Sequence, residues 1–251
     1  MSKVYFIGAG PGDIELITLK GLKALQKSKI VIYAGSLVNR DILNYADNMI
    51  ASYDSSSMVL EEIVDLIKTS TDKNLDVARL HTGDASLYGA IFEQIVEIEK
   101  LGIQYEIIPG VTALFAAAAS MGVELTSPNI SQTVTITRVE GKTPMPKNEN
   151  LKDIVSHGGT FTFYLSILKL KDIINTFLDK GFKKDTPVAV CYRVSWPDEE
   201  IIFGTLDNIE KKMENKKINR QALVIVGDVL RRNPKKYSKL YDKDFSHGFR
   251  Q

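Results

Sequence analysis

The sequence predicts an α/β protein built from two α/β domains, over residues 1–125 and 126–251. Three features carry that expectation. Short apolar runs alternate with segments of helical period through the first half, as in βα units that wind a largely parallel sheet. Around Leu125-Thr126-Ser127-Pro128-Asn129 the composition turns to chain breakers. Beyond it, strand-like runs rich in β-branched and aromatic residues come closer together, with fewer helices between them.

In order, the first half places strands over 4–8, 30–33, 77–80 and 105–108. Between them Leu60, Ile63, Val64 and Ile67, and then Leu87, Ile91, Ile95 and Ile98, recur at three and four residues, each set an apolar stripe on one helical face. Gly102 stands where the second of these helices should close. The second half places strands over 133–138, 160–165, 188–193, 201–204 and 222–227. A helix carrying Leu170, Ile173, Ile174, Phe177 and Leu178 is expected to stop at Gly181, and residues 231–251 read as a polar, basic extension.

Composition narrows the function classes. With 251 residues, 44% of them hydrophobic, the chain can bury a sizeable core. Lys+Arg 32 against Asp+Glu 31 leaves a formal charge of +1, so no global field recruits nucleic acid or an anionic membrane. The single cysteine, Cys191, has no thiol to pair with, and the amino-terminal residues lack a basic region followed by a long apolar one. A cytoplasmic protein that neither binds nucleic acid nor enters a membrane is therefore expected.

Three loops that follow strands hold the candidate site. In Gly8-Ala9-Gly10-Pro11-Gly12-Asp13 the sixth position of a dinucleotide fingerprint is Asp13 instead of glycine. The strand over 30–33 runs into Ala34-Gly35 without the acid that would hold a ribose. Asp13 and Glu15 would repel a phosphate, so the loop is not expected to hold pyrophosphate; a tight turn with Asp13 as a helix cap is the other reading. In His81-Thr82-Gly83-Asp84-Ala85-Ser86-Leu87-Tyr88-Gly89, Asp84 suits hydroxyl or ammonium donors, and it or Ser86 equally suits a helix cap. His81 has no partner at ligand spacing and reads as a structural histidine with its hydrogen bonds satisfied, and no metal site is expected. Pro109-Gly110-Val111-Thr112-Ala113 leads into four alanines whose small side chains admit a flat ligand or a closely packed helix. In the second half, Arg138 and Arg193 each stand just past a strand in loops with proline, positions that suit an acidic ligand or surface ion pairs.

Together these stretches resemble the cobalamin-pathway branch of the tetrapyrrole methylases. The match rests on residues 4–13, Tyr33-Ala34-Gly35-Ser36-Leu37-Val38, residues 79–89, residues 138–146, Trp196-Pro197-Asp198-Glu199 and Ser246-His247-Gly248-Phe249-Arg250. Ala85 departs from the pattern, which usually has proline after the aspartate. The resemblance implies two α/β domains with S-adenosylmethionine in the cleft between them, a homodimer, and methyl transfer to a corrin precursor that releases S-adenosylhomocysteine. The acceptor that the resemblance implies is carbon 11 of precorrin-4 or its cobalt form. Carried over by motif, Pro11, Thr82, Gly83, Asp84, Leu87, Thr112, Ala113, Leu165, Val194 and Ala222 would hold the cofactor. Gly10, Gly12, Asp13, Arg138, Lys142 and Arg193 would hold the tetrapyrrole substrate, with Asp13 and Arg138 nearest the chemistry. A related methylase acting on another corrin carbon, a nicotinamide-dependent oxidoreductase and a non-catalytic nucleotide-binding module are the alternatives.

Overall fold

The structure is a computed structural model that describes residues 2–231 together with 238, 245, 246 and 248. Most of the expected basic extension, and His247, Phe249 and Arg250 of the terminal motif, lie outside the described residues. The chain divides into two compact units. The first runs through Ala116 and takes in Ser195–Pro197; the second comprises Ala117–Val194 and the residues from Asp198 on. The division falls inside the helix Ala113–Met121.

The first unit holds β1 (Lys3–Gly8), α1 (Leu19–Lys27), β2 (Ile30–Tyr33), β3 (Ala51–Asp54), α2 (Leu60–Asp72), β4 (Val77–His81), α3 (Phe92–Lys100), β5 (Gln104–Ile108) and the start of α4 (Ala113–Met121). Its five strands are all parallel, in the order β3-β2-β4-β1-β5. Both faces of the sheet are covered, so its central strands read as unbroken apolar runs. Tyr5, Ile7, Val31 and Leu80 pack with Leu25 of α1 on one side, while Val4, Phe6, Ile32 and Val77 pack with Ile63, Ile67, Ile95 and Ile98 of α2 and α3 on the other. The edge strand β5 is guarded by charge: Glu106 pairs with Lys3 at 2.7 Å and with Lys20. Those two lysines hold its carboxyl at about 2.

The four strands expected in this half are present to within a residue, and β3 was not anticipated. Its sequence, Ala-Ser-Tyr-Asp, carries no apolar run, and only its pairing with β2 defines it. The helix expected from Leu87 begins instead at Phe92. Tyr88 and Ala90 have φ of 57° and 48°, which an α-helix cannot contain, so residues 85–91 form a turn. Gly102, at φ 70°, closes α3 as expected: its N–H donates to Glu99 O at 2.9 Å, and the next N–H donates to Ile98 O at 3.0 Å.

The second unit holds β6 (Val134–Arg138), α5 (Leu151–Ile154), β7 (Thr160–Tyr164), α6 (Leu170–Asp179), β8 (Pro187–Tyr192), β9 (Glu200–Thr205), α7 (Ile209–Met213) and β10 (Ala222–Val226). Its sheet is mixed, in the order β6-β7-β10-β8-β9, with only β6 and β7 parallel. The core joins Phe161 and Phe163 to Phe177 of α6, with Phe161–Phe177 and Phe177–Phe182 centroids 5.2 and 4.9 Å apart in edge-on geometry. All five strands expected here are found, and α6 ends just before Gly181. Cys191 is fully buried in β8, and burial, then the charge of Glu199, pushes its thiol up to about 12.

Candidate active site

Parallel strand order brings the carboxyl ends of β1, β4 and β5 side by side, which is where ligands bind in open α/β sheets. There the three loops approach one another closely through their backbones. Gly10 and Gly83 form an isolated bridge, with Gly83 N–H donating to Gly10 O at 2.7 Å and Gly10 N–H donating to Gly83 O at 3.3 Å. A Cβ on Gly8 would meet Gly110 Cα at 2.6 Å, and one on Gly110 would meet Gly83 O at 2.2 Å. Only glycine permits such approach.

Gly83, at φ 64°, lies beside the third loop, the position of its Cβ falling 3.5 Å from Thr112 Cα and 3.8 Å from Ala113 N. The structure therefore brings together Gly10, Gly83, Thr112 and Ala113, with Thr82 and Asp84 on either side of Gly83. Thr112 opens α4 through its carbonyl, which accepts from the N–H groups of Phe115 and Ala116. Leu87 sits in the 85–91 turn rather than on a helix, half-buried.

Asp84 caps no helix. One carboxylate oxygen accepts from the Ser86 N–H at 2.9 Å and from the Ser86 hydroxyl, and the other accepts from the Gly110 N–H at 2.8 Å, tying the β4 loop to the β5 loop. Desolvation opposes its ionisation, but the bonds from Ser86 and Gly110 prevail and hold its carboxyl below the usual carboxylate range. Asp84→Ala should cost about 2 kcal/mol of stability, the scale of hydrogen bonds to a charged group. Thermal melting of the two proteins side by side checks this.

Asp13, the first candidate for substrate chemistry, is exposed and caps the short 3-10 turn Ile14–Leu16, accepting from the Glu15 N–H at 2.9 Å. The helix proper starts later, at Leu19, where Thr18 Oγ1 accepts from the Gly21 N–H. Ser195, Trp196 and Asn39, none of them among the expected site residues, bind the same glycine loop. The signal available in sequence was that Trp196 is the chain's one tryptophan and lies in a loop.

In the second unit, register gathers the remaining candidates along one sheet edge. Arg138, the last residue of β6, pairs with Tyr164 of β7, and Leu165 follows. Antiparallel β10 places its first residue, Ala222, at that same edge, opposite Tyr192 of β8, after which come Arg193 and Val194. Leu165 is 72% exposed at φ 54°, an unfavourable setting for a large apolar residue. Arg138 donates to the carbonyls of Thr143 (3.1 Å) and Pro144 (2.5 Å), closing the loop that carries exposed Lys142. Arg193 pairs with Asp198 at 2.7 Å and donates to Gln221 Oε1 at 3.2 Å. Val194 and Ala222 are buried.

His81 is buried but not fully satisfied, contrary to expectation: its Nε2 has no hydrogen-bond partner among the described residues, and neither has Nη1 of buried Arg79 two residues before it. Arg79 is instead held through Nε, which donates to Gln94 Oε1 at 3.1 Å. Among the described residues no group of three or more His, Cys, Asp or Glu is placed to hold a metal, and no helix is long and apolar enough to cross a membrane.

An all-parallel sheet ending in three interlocked glycine turns, with a second mixed sheet, defines a class. The family model described as Tetrapyrrole (Corrin/Porphyrin) Methylases matches residues 3–210, and the chain belongs to that family. More particularly, it is 51% identical over 251 residues to a cobalt-precorrin-4 C(11)-methyltransferase of Methanocaldococcus jannaschii, spanning 99% of this chain and 96% of that protein. The X-ray structure of a cobalt precorrin-4 methyltransferase superposes with a TM-score of 0.88 at 42% identity, over 91% of this chain and 95% of the other. A uroporphyrin-III C-methyl transferase from Thermus thermophilus, solved with S-adenosylhomocysteine, superposes at 0.76 with 26% identity, over 92% and 94% of the two chains.

Proposed function

We propose that this chain transfers a methyl group from S-adenosylmethionine to carbon 11 of precorrin-4 or its cobalt form, giving the corresponding precorrin-5 in cobalamin biosynthesis. The observation that carries this reading is the 51% identity to a cobalt-precorrin-4 C(11)-methyltransferase across nearly the whole of both chains. The Thermus relative solved with S-adenosylhomocysteine supports the choice of donor. So does the site: the close approach of Gly83 to Thr112 and Ala113 presents main chain, which suits a donor with a flat base and no phosphate. By motif, Pro11, Thr82, Gly83, Asp84, Leu87, Thr112, Ala113, Leu165, Val194 and Ala222 would hold the donor. Asp84 acts chiefly by tying the β4 loop to the β5 loop.

The donor supplies a methyl on a sulfonium whose leaving group is a neutral thioether, so the displacement needs no general acid. The protein's part is to orient. Rigid glycine turns hold the donor loops in one geometry, and aligning the acceptor carbon about 3 Å from the methyl supplies several kcal/mol of barrier reduction. Excluding water favours the charge-dispersed transition state over the charged ground state. The 8–13 loop, which ends on Asp13 with Glu15 two residues on, faces the tetrapyrrole rather than a phosphate. Arg138, Lys142 and Arg193 offer cations to its peripheral carboxylates. We also infer a homodimer working in the cytosol.

Incubating the purified protein with methyl-labelled S-adenosylmethionine and precorrin-4, with and without cobalt, tests the reading; NMR should find the label on carbon 11. Label on another ring carbon would move the protein elsewhere in the family, and donor binding without turnover would make it a binding module. Arg138→Ala should raise the tetrapyrrole KM about tenfold, as expected for loss of a charge-assisted contact, and leave the donor KM unchanged. An equal rise in both would take Arg138 out of the substrate site.

A further inference from the structure

The glycine loop is held from outside by side chains distant in sequence. Trp196 Nε1 donates to Pro11 O at 2.9 Å, Asn39 Nδ2 donates to Gly12 O at 2.9 Å, and the Asp13 N–H donates to Ser195 Oγ at 3.0 Å. Three consecutive loop residues thus have backbone groups committed. The indole sits against Gly12 itself: a Cβ there would fall 2.2 Å from Trp196 Cδ1 and 2.5 Å from its Nε1. Gly12 is therefore glycine because the indole occupies its side-chain space.

The segment that delivers the indole is shaped for the task. Arg193 and Ser195 have φ of 44° and 63°, and the Arg193–Asp198 ion pair closes the neck of the loop between β8 and β9. Non-glycine residues stay in the left-handed region only where their surroundings enforce it, and such positions gather at working parts of proteins.

We propose that Trp196 is a positioning residue for the substrate: hydrogen-bonded to Pro11 and seated on Gly12, its indole latches the 8–13 loop in the conformation that receives the tetrapyrrole. The inference rests on the reading that this loop faces the tetrapyrrole. Trp196→Phe keeps a ring against Gly12 and removes the N–H, so the tetrapyrrole KM should rise about fivefold, the equivalent of one hydrogen bond. Trp196→Ala should raise it about tenfold or more, with a smaller rise in the donor KM, because Pro11 is also among the proposed donor contacts. Gly12→Ala expels the indole and should match Trp196→Ala, and the double variant should be no worse than Gly12→Ala alone. An unaltered tetrapyrrole KM in Trp196→Ala, an equal rise in both KM values, or additive losses in the double variant overturns the latch. Should Trp196→Ala fail to fold, the Trp196→Phe comparison decides.

Because the chain has one tryptophan, 5-fluorotryptophan places a single 19F label at this position. Saturating metal-free precorrin-4 should shift its resonance. A resonance that does not move while precorrin-4 binds would sink the placement of the tetrapyrrole at this loop. A resonance that moves while Trp196→Ala keeps its KM would sink the latch alone.

Discussion

Gly110→Ala should lose most of its affinity for S-adenosylmethionine and about 3 kcal/mol of stability. The new Cβ would lie 2.2 Å from Gly83 O and 2.7 Å from the Cα and carbonyl carbon of Gly8. All of these are backbone atoms of central strands' loops, which cannot swing aside as a side chain can, so the β1, β4 and β5 ends must separate. Overpacking of this kind costs about 1–3 kcal/mol. Separation also pulls the Gly110 N–H from Asp84 and opens the Gly10–Gly83 bridge. For a chain of this size the loss corresponds to a fall in melting temperature of roughly 6–12 °C. Calorimetric titration with S-adenosylmethionine and a thermal melt read both effects. Gly141→Ala, where a Cβ meets nothing within 4 Å, is the control that should change neither. Parent-like donor affinity in Gly110→Ala would separate the glycine turns from the donor site.

Acidification from pH 6.5 to pH 5 should cost the parent protein about 1.5 kcal/mol that His81→Gln does not lose. Burial, then the neighbouring charge of Arg79, drives the His81 pKa down to about 3, against a weaker opposing bond to the Gly89 carbonyl. In the unfolded chain the same ring titrates near its ordinary 6.5. Between these two values the unfolded state takes up a proton that the folded state refuses, so stability falls as pH falls through that window. Asp54, held at about 2 by Ser56 and Gly35, and Glu106, also at about 2, add their own losses only below about pH 4.5, outside the range compared. Urea unfolding at the two pH values measures the difference. Equal acid sensitivity in parent and variant would mean that His81 is protonated in the folded protein.

How much of this was legible beforehand varies element by element. Residues 30–33 and 222–226 lie in central strands buried on every residue, so four or five apolar residues in a row announced them. Strand β3 announced nothing, since two of its four side chains are exposed and its identity lies in hydrogen bonds to β2. The stripe from Leu87 to Ile98 has helical spacing throughout, yet the turn at 85–91 interrupts it. There Gly89 packs so closely on Ala85 that a Cβ would come 2.0 Å from the Ala85 carbonyl oxygen. Of the site, the three glycine-bearing loops and their location after strands were visible. The use of Asp84 as a tie to Gly110 and the seat of Trp196 on Gly12 were not.

The division has a physical cause. Hydrophobic period, breaker residues and the spacing of glycines after strands are relations between chain neighbours, so the sequence alone determined the α/β character, nearly every strand, and the place of the three glycine-bearing loops after strands. Which carboxylate meets which N–H, and which glycine makes room for an indole, depends on strand order. The order β2-β4-β1-β5 sets Asp84 against a loop 26 residues further on, and Trp196 meets Pro11 across 185 residues of chain. Contacts across such separations exist only once the sheet has formed, and it was the tertiary structure that decided them.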